Sequence, residues 1–251
     1  MQFRKIIIII LFGFIVFMPG FCKSKINLKE YPKGIYVVKV DSNYFAQNSS
    51  IYLSKDLKTV EQAARKSRAK VAINAGFFDP NNAKTISYIL KNNKIIADPR
   101  GNERLINNDE LKPHLEKIFN RSEFRVYSNC FEIKPHNAPI LRNNLKYSVQ
   151  AGPELVPDYN VEKEYFGKLA GSKVARSAIA IKGNEILLIA ARNLTLNELT
   201  EFLKTLKVEQ GMAFDGGSST SLYVDLPGKK LNLNSTKDNT ARRVKSVLIL
   251  K

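Results

Sequence analysis

The stretch Ala213-Phe214-Asp215-Gly216-Gly217-Ser218-Ser219-Thr220-Ser221-Leu222 decides how this chain is read. An apolar approach, one carboxylate, two glycines and a run of hydroxyls lead into Leu222-Tyr223-Val224. The pattern predicts a strand, a sharp turn and a second strand. Gly216 and Gly217 can take backbone angles closed to other residues and let a ligand come close. Asp215 then stands at a strand end beside exposed N–H groups, a good place to handle a polar substrate. The plainer reading is a tight hairpin whose aspartate bonds its own turn.

Outward from this turn, the C-terminal third is the clearest part. Ser177 to Ile181 and Glu185 to Ala191 read as strands joined at Lys182-Gly183-Asn184. Thr195-Leu196-Asn197-Glu198 fits a capping box, and Leu199, Phe202, Leu203 and Leu206 mark one face of the helix that follows. Val244 to Leu250 is a closing strand. Toward the N-terminus, strands are expected at Gly34 to Val40, Ser50 to Leu53, Lys70 to Asn74, Ile86 to Leu90, Ile95 to Ala97 and Lys146 to Gln150. Helices are expected over 58–68 and 109–119. Residues 23–33 look like an extended linker, and 99–108 and 157–173 like loops. The sum is an α+β fold, a single compact domain of mixed β-sheet with a few packing helices.

The chain has 251 residues, 44% of them hydrophobic and 25% charged, enough for one good-sized core. Residues 1–22 are set apart. Arg4 and Lys5 precede an apolar stretch from Ile6 to Met18, which Pro19-Gly20 ends. This is the layout of an export signal, or of an uncleaved N-terminal anchor, and it is short for a membrane span. Cys22 suggests lipidation, but Phe21 is bulky where such a signal wants a small residue. Export makes a secreted, periplasmic or cell-envelope location the expectation. With Cys22 removed, Cys130 is the remaining cysteine; with Cys22 kept, a Cys22–Cys130 bridge is open. Two cysteines and two histidines without ligand-like spacing argue against structural zinc. No dedicated cluster of oxygen ligands is visible, so no metal or cofactor is expected. The net charge of +17 is spread without a run of five basic residues, which argues against nucleic acid and leaves anionic glycans as partners. Contact with a membrane is expected only through an uncleaved N-terminal segment.

Four segments pair a strand end with polar or glycine residues: Asn74-Ala75-Gly76-Phe77-Phe78, Gln150-Ala151-Gly152-Pro153, Arg176-Ser177-Ala178-Ile179 and Asp215-Gly216-Gly217-Ser218. Arg242-Arg243-Val244 precedes the last strand. In this order they resemble the motifs of the phosphodiester glycosidase family, over residues 34–251. The chain departs from that pattern at Ala75, Ala180, Ser218, Arg243, Lys245 and Ser246, which puts substrate fit in question rather than the fold.

The resemblance implies hydrolysis of a sugar 1-phosphodiester, with a phosphorylated glycan or sugar phosphodiester as substrate. An anionic phosphodiester calls for guanidinium groups, and Arg176 and Arg242 are the candidates. The anomeric carbon gains positive charge in the transition state, so a carboxylate belongs beside it. Asp215 is the candidate, as nucleophile or electrostatic stabiliser, with Asp79 and Glu154 open as a second carboxylate. Asn74 and Gln150 are expected to bond sugar hydroxyls. Gly152 shapes a turn, and N–H groups of Gly216, Gly217 and Ser218 are expected to hold a phosphate oxygen. Plainer roles stand beside these: Arg176 as an ion-pair partner of Asp215, Asn74 as a turn cap, Phe77 and Phe78 as core. Asn120-Arg121-Ser122 is one of four matches to the glycosylation pattern. A serine hydrolase is excluded, because no G-x-S-x-G elbow and no suitably placed histidine occur. The alternative to an enzyme is a non-catalytic envelope protein binding phosphorylated glycans or anionic cell-wall polymers.

Overall fold

The structure, a computed structural model, describes residues 24–140, 144–160, 164, 171–235 and 240–251. The N-terminal signal or anchor expected over 1–22 lies outside the described residues, as does much of the 157–173 loop. In chain order the first elements are β1 (Ile26–Tyr31), β2 (Ile35–Asp41), α1 (Ser42–Asn48), β3 (Ser49–Lys58), α2 (Val60–Ser67), β4 (Val71–Asn74), β5 (Ile89–Lys91) and β6 (Lys94–Ala97). Then come α3 (Glu103–Ile106), α4 (Leu115–Phe119), β7 (Ser122–Tyr127), β8 (Phe131–Pro135), β9 (Leu145–Gln150) and β10 (Glu154–Val156). The last are β11 (Val174–Lys182), β12 (Glu185–Leu194), α5 (Leu196–Thr205), β13 (Gln210–Ala213), β14 (Ser221–Leu226), β15 (Lys229–Asn234) and β16 (Val244–Leu250).

The strands form three sheets, ordered β1-β2-β12-β11-β13-β10, β15-β14-β4-β16-β3 and β6-β5-β9-β7-β8. The architecture is β-rich with a few helices, as the sequence implies. The strand directions, expected to be mixed, are antiparallel at every ladder among the described residues. A central core draws on all three sheets, through Ile179 and Leu188, Ile73 and Leu248, and Phe124 and Val149.

Two helices cover outer faces. Leu196, Leu199 and Leu203 of α5 pack on Ala178, Ala180, Leu187 and Ile189 of the first sheet. Val60, Ala63 and Ala64 of α2 pack on Ala72, Val247 and Ile249 of the second. Strands β11, β12 and β16 are therefore buried on both faces and read as continuous apolar runs. Ala178 and Ala180 face the helix while Ile179 and Ile181 face the core, the two-residue alternation of a strand. Both helices start with complete capping boxes, Thr59 with Gln62 and Thr195 with Glu198.

Three expectations are corrected. The linker expected over 23–33 contains β1, which pairs along β2 from Ile26↔Val40 to Tyr31↔Ile35. The helix expected over 109–119 is a 3-10 turn, Lys112–His114, followed by the short α4, because Pro113 removes an N–H and restricts the residue before it. The loop expected over 99–108 contains α3.

Candidate active site

Three of the chain's crossings between sheets pass one place. Residues 75–88 run from β4 in the second sheet to β5 in the third, residues 151–153 from β9 in the third to β10 in the first, and residues 214–220 from β13 in the first to β14 in the second. Backbone bonds lace these crossings together. Asp215 N donates to Ala75 O at 2.9 Å, Phe214 N to Ser177 O at 2.8 Å, and Gly152 N and Ala213 O are joined at 2.9 Å. A cavity of about 110 Å³ opens at this junction. Phe77 comes from the first crossing, Gly152 and Pro153 from the second, and Phe214, Asp215, Gly216 and Gly217 from the third, with Arg176 of β11 in the wall. Gly152 has φ +91° and Gly217 φ +60°, values that a side chain would strain, so these glycines fix the shape of the turns.

Asp215 is the one carboxylate among the described residues lining the cavity. Burial pushes its pKa up to about 6, against the opposing pull of the Ser219 hydroxyl, the Arg242 and Arg121 guanidiniums and the Gly216 N–H. A carboxyl that titrates near neutrality in a concave site is a mark of functional chemistry. Its backbone is pinned from below by Asn74, whose Nδ2 donates to Asp215 O at 2.6 Å. Asn74 Oδ1 accepts from the Ser177 hydroxyl at 2.7 Å and from Ser221 N at 3.0 Å. One fully buried carboxamide thus joins β4, β11 and both ends of the Asp215 turn.

The cations take different positions. Arg176 is buried in the wall, its Nε donating to Leu194 O at 3.0 Å and one terminal nitrogen to Ser172 O at 2.6 Å. Burial lowers its pKa from the usual arginine value, with Tyr159 opposing. A Cβ on Gly216 would lie 3.2 Å from the Ala175 carbonyl oxygen, a tight contact that favours glycine beside the Arg176 strand. Arg242 donates to the Ser218 hydroxyl and lies 5.5 Å from the Phe78 ring centre. Ser218, where the resembling motif has a third glycine, thereby gains a partner.

Asp215, Arg176, Gly152, Gly216 and Gly217 meet around the cavity, and Arg242 and Ser218 stand beside them. Asn74 and Gln150 are brought near but not to the surface: both are fully buried. Their polar atoms serve the protein rather than the expected sugar hydroxyls. Gln150 Oε1 accepts from Tyr88 N at 3.2 Å, and its Nε2 donates to Phe119 O at 2.8 Å and Arg121 O at 3.3 Å. Asp79 pairs with Arg104 at 3.0 Å, and neither it nor Glu154 lines the cavity. The Gly216 N–H, expected to meet a phosphate oxygen, is turned to the Asp215 carboxylate. Arg121 is the residue that motif reading passes over. It was legible only as the middle of Asn120-Arg121-Ser122.

Other departures also fit. Ala75 points into the central core, and Ser246 Oγ accepts from Gly76 N at 2.9 Å. Among the described residues no three His, Cys, Asp or Glu side chains cluster as metal ligands would, and no helix is long and apolar enough to cross a membrane. Cys130 is a free, half-buried thiol, and Cys22 lies outside the described residues.

The sequence profile of the phosphodiester glycosidase family matches residues 67–251. No curated protein sequence matches significantly. Among solved structures the chain is similar to the catalytic domain of zebrafish N-acetylglucosamine-1-phosphodiester alpha-N-acetylglucosaminidase, auto-inhibited by its pro-peptide. The identity is 16%, 90% of this chain and 81% of that chain are covered, and the TM-score is 0.67. It is also similar to a hypothetical protein from Synechocystis, at 17% identity and TM-score 0.62, covering 89% of this chain and 61% of that one. At these identities the structural likeness is one of fold.

Proposed function

This chain belongs to the phosphodiester glycosidase family, and we propose that it is an exported hydrolase cleaving sugar 1-phosphodiesters between the anomeric carbon and the phosphate oxygen. The observation that carries this reading is a single near-neutral carboxylate, Asp215, in a cavity flanked by guanidiniums. Two-carboxylate glycosidases use the second group to protonate a poor leaving group. Here the leaving group is a phosphomonoester, whose last proton titrates at about 6, so it departs without one. The bond from the anomeric carbon to oxygen breaks with its electron pair going to the phosphate. Ionised Asp215 faces the electron-poor carbon, as nucleophile or as electrostatic stabiliser. Water then gives its oxygen to that carbon and its proton to solvent. Arg242 grips the phosphate, and Arg176 adds positive charge from the wall.

Export is proposed from the basic and apolar layout of residues 1–22. The name of the zebrafish relative makes N-acetylglucosamine 1-phosphodiesters the first substrates to try. The test is a panel of sugar 1-phosphodiesters given to the native protein and to Asp215→Asn. Turnover by the native protein, lost by at least about a thousandfold in the variant with ligand binding kept within a few fold, is the expected result. Binding without turnover by the native protein would make it a receptor for phosphorylated glycans and end the hydrolase reading.

A further inference from the structure

A second concavity, of about 380 Å³, lies on the seam between β3, an edge strand of the second sheet, and β6, an edge strand of the third. It shares no lining residue with the Asp215 cavity. Three ammonium groups line it, from Lys55 of β3, Lys84 of the 75–88 crossing and Lys245 of β16. A bulge brings Lys245 here. Val244 pairs with Lys58 and Ser246 with Leu53, so residues 54–57 arch out of β3 opposite one residue of β16. Such bulges re-aim side chains beside binding sites. Lys245 Nζ donates to Lys55 O at 3.2 Å, which leaves N–H groups over for a ligand. The charges are unevenly met. Lys84 pairs with Glu103 and donates to Gly101 O at 3.0 Å. Neither Lys55 nor Lys245 is in an ion pair among the described residues. Asp98, the carboxylate in the lining, is exposed and caps its own turn, accepting from Arg100 N at 2.9 Å. Burial lowers the pKa of half-buried Lys245, with Asp56 opposing. A cation withdrawn from water without a counter-charge calls for an anion beside it.

We propose that this concavity binds a small organic phosphate, with Lys55 and Lys245 as the charge partners of its phosphate group. Each ammonium is a compact charge with rotatable donors, and the two come from different strands. Donors arriving separately suit the tetrahedral oxygens of a phosphate, whereas a planar carboxylate suits the side-by-side donors of one guanidinium. The space exceeds what a phosphate group fills, and Leu53, Ile96 and Ala97 give an organic carrier an apolar wall. Lys245 stands where the resembling motif has an uncharged proline, so the site belongs to this chain rather than to the motif. It stands whether or not the hydrolase reading holds.

Glycerol 3-phosphate, titrated by calorimetry at fixed ionic strength against native protein, Lys55→Gln and Lys245→Gln, is the probe. Each substitution is expected to weaken binding about 3- to 10-fold, the loss of one partly exposed charge contact. Arg242→Gln, beside the Asp215 cavity, should stay within about twofold of native. Glycerate, which carries a carboxylate in place of the phosphate, should bind native protein at least about threefold more weakly. Lys55 is exposed, so its variant gives the readout even if Lys245→Gln does not fold. Affinity unchanged in the folded lysine variants, or lost in Arg242→Gln while the lysine variants keep it, overturns the site. Glycerate binding as tightly as glycerol 3-phosphate overturns the choice of phosphate, and no binding of glycerol 3-phosphate by native protein overturns the proposal outright.

Discussion

At the scale of the residue, the burial of Asp215 costs stability. An aspartate in the unfolded chain titrates near 3.9, whereas burial raises Asp215 to about 6. Between those values the folded state holds the proton more tightly than the unfolded state. Stability therefore falls as pH rises from about 4 to 6 and stays at the lower level above that window. Asp215→Asn removes the penalty. The variant is expected to be more stable than the native protein by about 1–2 kcal/mol at pH 7.5, a figure discounted for the partial exposure of the group, and equal to it near pH 4. Urea unfolding at the two pH values checks this, and a variant less stable at pH 7.5 would contradict it. Asp215 was legible in the sequence because its carboxylate and glycines stand in an ordered series with the Asn74, Gln150 and Arg176 segments. Its high pKa was not, since it comes from burial by three crossings distant in sequence. Arg121 was illegible for the same reason: its meaning lies in the Phe77 ring beside it, 44 positions earlier in the chain.

At the scale of the element, the central strands were readable and their partners less so. β11, β12 and β16 are apolar on both faces, and that run shows in any reading of the chain. β1 reads as a linker in the sequence because its outer face is polar, and only pairing with β2 makes it a strand. Asn74 shows how elements are tied to the site. Its carboxamide joins the end of β4 to β11, to the Asp215 carbonyl and to the start of β14. Asn74→Ala leaves a buried carbonyl, hydroxyl and N–H without this partner, and is expected to cost about 2–4 kcal/mol. The loss should appear in urea unfolding, with turnover reduced because the Asp215 turn is no longer pinned. Stability unchanged in the alanine variant would show that the knot is not needed. Gly76 is constrained in the same region, since a Cβ there would lie 2.8 Å from Ser87 and 3.0 Å from the Gln150 carbonyl. That contact, rather than an unusual backbone angle, explains the glycine.

At the scale of the whole molecule, three sheets share a core, and the site lies at the junction where the chain passes between them. No single sheet could supply it: the carboxylate comes from the first-to-second crossing, the Phe77 and Phe78 rings from the second-to-third, and Gly152 and Pro153 from the third-to-first. Three of the motifs, at Asn74, Gln150 and Asp215, are crossings between sheets, and their convergence is a property of the closed fold. The proposed function assigns the phosphate to the cations and the sugar carbon to Asp215, so bond cleavage is expected on the carbon side of the bridging oxygen. Hydrolysis of a turned-over sugar 1-phosphodiester in ¹⁸O-labelled water, followed by mass spectrometry of both products, tests this directly. The label is expected in the released sugar and absent from the phosphomonoester; label in the phosphate would mean attack at phosphorus and would contradict the role given to Asp215.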